Sequence, residues 1–320
     1  MTDMYEVCET LPQWLAALPE DPPDWSSQAW GFFCHASMVH GVAPLLHTRL
    51  EQRPWVPDQV KAWLERQYTL NCQRVAKMQE ELQAILALFS RHHVPLMPLK
   101  GAILGAFFYP DPGLRPMADL DFLLRPTDFD AGEALLHRLG YEETFRNSRH
   151  LRLIKPDNRD VVETGCEHPD NPRTLEVHPW CGETIAGALI DLTDVMWTNA
   201  RWQELLGENA WIVNAEVLWL HLFIHMAHHI LDQHVRSRLI QLVDLVILTP
   251  HVHDPQAVLA SVDGRGTYPG LVLLQKYFPD PQVEALLASQ RERVSPTIAD
   301  WAHSLDLINA SHLHRERSTA

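Results

Sequence analysis

Hydrophobic residues recur every three or four positions through most of the first 92 residues, a spacing that predicts helices. The spacing is continuous over residues 60–89 and predicts one long amphipathic helix there. An earlier helical segment is interrupted at residues 41–44, and Ser26 or Ser27 is placed to cap its start. The first region, residues 1–92, is therefore predicted to be a helical subdomain.

Short apolar runs separated by glycine, proline and aspartate replace this spacing from residue 93. They predict the order strand, helix, strand, helix, followed by three more strands. In chain order the predicted segments are 94–99, 100–109, 118–124, 127–140, 143–147, 150–155 and 174–180. Thr127 is expected to cap the second helix and Gly140 to end it. Residues 93–185 are the predicted core.

The helical spacing returns beyond Gly182, with one short apolar stretch at residues 210–213. Asn214 follows that stretch and is expected to cap a strongly apolar helix. Residues 186–320 are therefore predicted to form a second helical subdomain. The whole pattern predicts an α+β core between N-terminal and C-terminal helical subdomains.

Composition narrows the possible partners. The 320 residues are 46% hydrophobic and 21% charged, as in an ordinary globular protein, and the formal net charge is -15. Most of such a surface repels a nucleic-acid backbone, and the arginines and lysines form no internal basic patch. Nucleic acid is therefore not an expected partner.

The location is predicted from the N-terminus and the cysteines. The first residues are acidic and lack the features of a signal peptide, and no apolar run is long enough to span a bilayer. The five cysteines are widely and irregularly spaced, which fits reduced thiols. A cytoplasmic protein without membrane segments is expected.

Two aspartates stand in an otherwise apolar predicted strand. Asp119 and Asp121 are two residues apart, so their side chains point to the same face of the strand. Two converging carboxylates suit a divalent cation such as Mg²⁺. The alternative is a pair of solvated or salt-bridged acids, with Arg115 as the nearest candidate partner.

The turn before the first predicted helix has the properties of a phosphate-binding site. A strand leads into Lys100 and Gly101 and then directly into a helix, whose N-terminus presents backbone N–H groups and positive charge. Gly101 carries no side chain that would block the approach of a phosphate. The alternatives are an ordinary turn glycine and a solvated lysine.

Glu176 offers a third carboxylate on a later predicted strand, and His178 lies on the same face two residues on. Three carboxylates suffice for two metal ions about 3.5–4 Å apart, as in two-metal phosphoryl-transfer sites. The alternative for Glu176 is an exposed residue in a salt bridge, for example with Arg173. Glu163 and Glu167 are the next candidates for a third acid.

The segments LKGAIL, YPDPGLRPMADLDFLL and LEVHPW, in this order, resemble the uncharacterised nucleotidyltransferase family of the polymerase-beta-like superfamily. The resemblance extends over roughly residues 28–248, because the helices LWLHLFIHMAHH and RLIQLVDLVIL also resemble those of the family. It implies a polymerase-beta-like nucleotidyltransferase core with a mixed sheet.

The resemblance also implies roles for individual residues. Asp119, Asp121 and Glu176 would be catalytic and would bind Mg²⁺ or Mn²⁺. Glu176 stands where the family usually has aspartate, one methylene shorter. The predicted nucleotide-binding residues are Lys100, Gly101, Arg115, His178 and His225.

Histidines form a stripe on one face of the apolar helix after Asn214; they are His221, His225, His228 and His229. They are either partly buried structural residues or zinc ligands, although no paired carboxylate accompanies them as in an HExxH site. A third interpretation places His225 or His228 in the cleft beneath the nucleotide, oriented by Asp244.

The favoured hypothesis is a metal-dependent nucleotidyltransferase. It would move a nucleoside monophosphate from an NTP to a hydroxyl of a small molecule or protein and release pyrophosphate. One alternative is a catalytically silent binding or scaffold protein of the same fold. The other is a zinc-dependent hydrolase built on the histidine stripe.

Overall fold

Helices account for the N-terminal region, as the apolar spacing predicts. The protein is described by a computed structural model that covers residues 4–164, 167–231 and 238–307. The helices of this region are α1 (Met4–Ala16), α2 (Ser27–Val39), α3 (Ala43–Leu50) and α4 (Asp58–Arg91). The break between α2 and α3 lies where it is predicted. Ser26 caps α2 by accepting a hydrogen bond from the Ala29 N–H, which confirms one of the two predicted caps.

A mixed sheet with short helices forms the central region, and the fold is α+β as predicted. Its elements are β1 (Met97–Pro98), α5 (Gly101–Phe107), β2 (Asp119–Leu123), α6 (Phe129–Arg138), β3 (Glu142–Arg146), β4 (Leu151–Ile154) and β5 (Thr174–His178). The strand order is β1-β2-β5-β4-β3. Strands β2 and β5 are parallel, and the other neighbouring pairs are antiparallel.

Two details of this region differ from the prediction. Strand β1 has two residues rather than the predicted six, because Pro95 and Pro98 lack the N–H that a longer ladder needs. The predicted cap at Thr127 is wrong, because residues 126–128 form a 3₁₀ turn and α6 begins at Phe129. Gly140 follows α6 with a φ of 85°, as expected for the glycine that ends a helix.

The region after residue 182 contains two β-hairpins, where the sequence predicts helices with one short apolar stretch at residues 210–213. Their strands are β6 (Gly182–Ile185), β7 (Ala188–Asp191), β8 (Ala200–Leu205) and β9 (Glu208–Val213), with α7 (Thr193–Asn199) between the hairpins. Both turns place a non-glycine residue and then a glycine at positive φ, namely Ala186-Gly187 and Leu206-Gly207. Hairpin turns of this kind usually begin with Asn or Asp, so the sequence signal is weak.

Helices form most of the remaining described chain. They are α8 (Ala215–Leu231), α9 (Leu239–Leu248), α10 (Pro255–Ala260), α11 (Tyr268–Tyr277), α12 (Pro281–Gln290) and α13 (Pro296–His303). Asn214 caps α8 as predicted, because its Oδ1 accepts from the Val217 N–H at 3.1 Å. None of the described helices has both the length and the apolar character to cross a bilayer. The division at residues 92 and 185 stays a prediction.

A buried polar stripe on α4 fixes the strands that carry the candidate site. Its members recur at helical spacing and are Gln67, Asn71, Arg74 and Glu81. Arg74 is 3% exposed and donates to the carbonyls of Met117 and Ala118, just before β2. It also donates to the carbonyls of Asn171 and Pro172, just before β5. One guanidinium thus joins the two segments that lead into the central parallel strands.

Candidate active site

The register of β2 and β5 brings the predicted acids together. Asp121 lies directly opposite Glu176, and Leu123 lies opposite His178. Directly paired residues of neighbouring strands share one face of the sheet, and so do residues two apart. The ligand-capable atoms of Asp121, Glu176 and His178 all lie within 4.8 Å of one another. In the part of the chain that the structure describes, this is the group of three that is suited to a metal ion.

Asp121 is the centre of this group. Its Oδ1 accepts a hydrogen bond from Lys100 Nζ at 2.9 Å and lies 3.1 Å from His178 Nε2. Burial raises the pKa of Asp121, but the Lys100 ammonium and the hydrogen bond from His178 outweigh it, and the pKa is held well below its usual range. Burial lowers the pKa of Lys100, but the charges of Asp121 and Asp119 together raise it by more. The net shift is upward, so the ammonium stays charged.

Asp119 lies two residues before Asp121, opposite Thr174, and outside the group of three. Burial and the neighbouring charge of Asp121 raise its pKa to about 7. Two acids on one strand therefore have opposite electrostatic environments, one neutralised by a lysine and one not. A metal-binding role for Asp119 stays a prediction.

Glu176 is half-buried and pairs with Arg152, which lies opposite it on β4. Arg152 Nε donates to Glu176 Oε1 at 2.9 Å. The alternative partner considered from sequence, Arg173, is wrong, because Arg173 instead pairs with Glu81 of α4 at 3.0 Å. Glu176 therefore faces the candidate site with one oxygen held by a partly exposed arginine.

The turn at Lys100 and Gly101 leads directly into α5 as predicted, but the space beside the glycine is filled. A Cβ on Gly101 would lie 2.5 Å from Arg115 Nη1 and 2.9 Å from Met117 Sδ. A larger residue at this position would therefore have to displace the side chains of Arg115 and Met117. Lys100 has a φ of 46° and a ψ of -115°, which is a strained conformation for a residue with a side chain.

Arg115 and Asp244 form a buried ion pair, which corrects two expectations. Arg115 donates from Nε and Nη2 to the two carboxylate oxygens at 2.9 and 2.8 Å, and Tyr109 donates to Asp244 Oδ1 at 2.8 Å. Arg115 therefore forms its ion pair with Asp244 and not with a β2 aspartate, although its charge lowers the pKa of Asp119. Asp244 contacts Arg115 and Tyr109 and does not orient a histidine. A nucleotide-binding role for Arg115 stays a prediction. The ion pair with Asp244 already occupies its guanidinium, which does not favour that role.

A cleft extends from Lys100 and His178 towards α8. His221 and His225 line it, as do Trp180 and Glu183. Burial lowers the pKa of His221 to about 3 and holds the pKa of His225 well below its usual range, so both rings are neutral. His225 thus lines a cleft next to Lys100, and its contact with a nucleotide stays a prediction.

The other two histidines of the stripe contact protein groups. His228 Nδ1 lies 3.3 Å from Glu183, and His229 Nδ1 lies 3.1 Å from Gln241 Nε2. Within residues 4–164, 167–231 and 238–307, the stripe does not supply three ligand atoms to one point. The zinc-site alternative therefore has no geometric support among these residues.

Sequence reasoning missed the arginines that surround the site. Arg149 pairs with Glu183 at the cleft, Arg152 pairs with Glu176, and Arg74 fixes the two strand entrances. A signal was present for Arg74, because it lies at the helical spacing of the inward-facing residues of α4. Arg152 lies on β4 and Arg149 lies just before that strand, and spacing within one strand does not identify the acids that pair with them.

The donor set fits a hard divalent cation. Asp121 and Glu176 supply carboxylate oxygens, which Mg²⁺ and Mn²⁺ accept. The separation of 3.1 Å between His178 Nε2 and Asp121 Oδ1 is close to the roughly 3 Å expected between adjacent octahedral positions at bonds of about 2.1 Å. Burial and the charge of Asp121 raise the pKa of Asp119, and the charges of Lys100 and Arg115 do not fully offset them.

Similarity to known proteins agrees with this arrangement. The profile of a family described as uncharacterised nucleotidyltransferase matches residues 26–263, more than half of the 320-residue chain. Among curated proteins, none matches the chain.

Two solved structures are similar to the chain. The antibiotic-resistance factor ANT(2'')-Ia shares 14% identity at a TM-score of 0.36, over 76% of this chain and 98% of that one. An antigenic nucleotidyltransferase-like protein from Paracoccidioides brasiliensis shares 11% identity at a TM-score of 0.38, over 66% and 92% of the two chains.

Proposed function

The chain belongs to the uncharacterised nucleotidyltransferase family, and we propose that it moves a nucleoside monophosphate from an NTP to a hydroxyl group. The observation that carries this proposal is the convergence of Asp121, Glu176 and His178 beside Lys100. Carboxylates at this spacing, with a lysine next to them, suit a metal-bound triphosphate. The acceptor is a small molecule or a protein side chain.

The reaction forms one bond and breaks one. The acceptor oxygen attacks the α-phosphorus, and the bond from the α-phosphorus to the oxygen shared with the β-phosphorus breaks. That electron pair leaves with pyrophosphate, and the hydroxyl proton goes to water. Lys100 supplies positive charge for the triphosphate, and Gly101 begins α5 beside it. Catalysis in such a site is mostly positioning and charge neutralisation.

Mg²⁺ or Mn²⁺ is the proposed cofactor. A bound cation of this kind lowers the pKa of the attacking hydroxyl and balances charge on the phosphates. Asp121 and Glu176 would hold it, with Asp119 as the proposed third carboxylate. Lys100 pairs with the Asp121 carboxylate. A cation bound to that carboxylate would replace the lysine, and the Lys100 ammonium could then contact the triphosphate.

The net charge of the protein indicates which class of acceptor it uses. A net charge of -15 disfavours a nucleic-acid acceptor, whereas a small molecule or a local protein segment avoids most of this repulsion. We place the protein in the cytoplasm, and the free thiols of Cys34, Cys72 and Cys181 are consistent with a reducing compartment.

The direct test is transfer of a label. The protein is incubated with each of the four α-³²P-labelled NTPs, Mg²⁺ or Mn²⁺, and an extract of its native host. We expect a labelled product with at least one NTP, formed only with metal and lost in Asp121→Asn. Absence of label with every NTP and both metals would contradict the proposal.

A silent binding protein of the same fold is the second candidate, and the Lys100–Asp121 pair favours it. An ammonium already neutralises the central carboxylate at 2.9 Å, so Asp121 has a positive partner without a cation. Calorimetric titration with NTPs separates the two candidates. Metal-dependent NTP binding supports the enzyme, and the absence of NTP binding in all titrations supports the scaffold.

A further inference from the structure

We infer that His178 is a metal ligand through Nε2, so that the site has a mixed nitrogen and oxygen donor set and prefers Mn²⁺ to Mg²⁺. The inference rests on the proposed function, which requires a divalent cation at Asp121 and Glu176. It assigns His178 a different role from the nucleotide contact that the sequence suggests.

The first argument is the position of His178 in the sheet. It lies two residues after Glu176 on β5, so both side chains leave the same face of the strand. Asp121 of the parallel strand β2 completes the group, and all three ligand atoms lie within 4.8 Å of one another. The three residues therefore reach one point from two directly hydrogen-bonded strands, without contribution from a loop.

The second argument is the distance between donor atoms. His178 Nε2 and Asp121 Oδ1 are 3.1 Å apart in a hydrogen bond, whose proton a metal ion bound by both atoms would replace. Two ligands at right angles around one ion, with bonds of about 2.1 Å, are separated by roughly 3 Å. A small movement of Glu176 brings the third atom into the same sphere, because the group is already within 4.8 Å.

The third argument is that the imidazole is held in place. The ring of His178 packs against the ring of His150, with 5.6 Å between the centroids. Its side chain is 18% exposed, so it lies at the wall of the cleft and not in open solvent. A ligand fixed by packing loses little side-chain freedom when it binds a metal.

The metal preference follows from donor chemistry. Mg²⁺ is a hard ion that takes oxygen ligands and retains water, whereas imidazole nitrogen suits more polarisable transition-metal ions. Mn²⁺ also accepts carboxylate and phosphate oxygens, and like Mg²⁺ it prefers six ligands. A site with two carboxylates and one imidazole therefore favours Mn²⁺.

Pulsed electron paramagnetic resonance on the full-length protein tests the ligand directly. The sample contains Mn²⁺ and a non-hydrolysable NTP analogue, in protein with natural-abundance nitrogen and in protein labelled with ¹⁵N-histidine. We expect a ¹⁴N coupling to Mn²⁺ that the labelled protein replaces by a ¹⁵N coupling. Bound Mn²⁺ with no histidine nitrogen coupling would overturn the inference.

Variants identify which histidine is responsible. His178→Gln should abolish the nitrogen coupling and weaken Mn²⁺ binding by at least about tenfold, with a change of less than about threefold for Mg²⁺. His150→Gln is the matched control and should retain the coupling. An equal loss for both metals in His178→Gln, or a coupling that persists there, contradicts the inference. The isotope comparison requires no variant, so it stands even if His178→Gln misfolds.

The two proposals fail in different ways. If Mn²⁺ binds with the NTP analogue and shows couplings only to phosphorus, the nucleotidyltransferase proposal stands and the histidine ligand is wrong. If Mg²⁺ binds with the NTP analogue and Mn²⁺ does not, the histidine inference fails alone, and if neither ion binds with any NTP analogue, both proposals fail together.

Discussion

Lys100 and Asp121 form an ion pair at 2.9 Å at the centre of the candidate site, and both side chains are largely shielded from solvent. Asp121 Oδ1 contacts Lys100 and His178, so Lys100→Met would leave it with His178 alone of these two partners. Breaking a buried pair from one side costs about 3–5 kcal/mol, so we expect a loss of this order in the metal-free protein. Urea unfolding with a chelator measures it.

The same variant also tests the cation site. Because the uncompensated carboxylates bind a cation more strongly, Mn²⁺ should raise the free energy of unfolding of Lys100→Met more than that of the unmodified protein. Lys77→Met is the control, since Lys77 pairs with Asp170 on the surface and should contribute less than about 1 kcal/mol. Equal stabilisation by Mn²⁺ in all three proteins would exclude a cation site at Asp121.

The sequence was sufficient to predict the parts of the site that depend on local periodicity. Alternation along β2 and β5 predicts that Asp119 and Asp121 share a face, and likewise Glu176 and His178. The strand-to-helix turn at Lys100 is also a local feature. These predictions need only a side-chain period of two and a glycine at a turn.

The partners of these residues could not be predicted, because they lie far away in the chain. Arg115 and Asp244 are 129 positions apart, and Arg74 contacts carbonyls 43 to 98 positions later. Side-chain spacing within an element does not specify which distant element packs against it. The hairpin at 182–191 was missed for a different reason, since its turn begins with alanine in place of asparagine or aspartate.

The two β2 aspartates should respond in opposite ways to neutral substitution. Asp119 has a pKa raised to about 7, so its ionised form destabilises the fold, whereas Asp121 is stabilised by Lys100. We expect Asp119→Asn to stabilise the metal-free protein at pH 8 by at least about 1 kcal/mol, because one pKa unit corresponds to about 1.4 kcal/mol. Asp121→Asn should destabilise it, because Lys100 is left buried without its partner.

The effect of Asp119→Asn on the free energy of unfolding should depend on pH, because the pKa of Asp119 is raised in the native protein. The native carboxyl retains its proton up to pH about 7, whereas the unfolded one loses it near its ordinary pKa of 3.8. The unmodified protein therefore loses stability as the pH rises between these values, and the variant lacks this loss. Chemical unfolding at pH 5 and pH 8 with a chelator gives the comparison. A variant less stable than the unmodified protein at pH 8 would show that Asp119 is neutralised.

Arg74 should be essential for the positions of β2 and β5. Arg74→Met removes the donor for several buried carbonyls, and each unsatisfied group costs about 1–3 kcal/mol, so we expect a loss of at least about 3 kcal/mol. Arg66→Met, on the exposed side of the same helix, is the control and should cost less than about 1 kcal/mol. Urea unfolding measures both. Similar small losses in the two variants would show that Arg74 does not fix the strands.

Glu176 should separate substrate binding from chemistry. Asp121 and Lys100 remain to hold the metal-bound triphosphate in Glu176→Gln, so affinity for the metal–NTP complex should stay within about tenfold, or about 1.4 kcal/mol. The transfer rate should fall by orders of magnitude, as for an interaction made mainly in the transition state. Glu176→Asp keeps a carboxylate and should retain part of the activity.

Calorimetry for NTP affinity and single-turnover transfer for the rate measure these two effects of Glu176→Gln separately. Glu163→Gln is the matched control, because Glu163 pairs with Arg66 at the exposed surface and lies outside the group at Asp121. It should leave both quantities unchanged. Unchanged transfer in Glu176→Gln would remove Glu176 from the site, and Glu167, which is paired with Arg74 beside the entrances to both strands, would become the next acid to test.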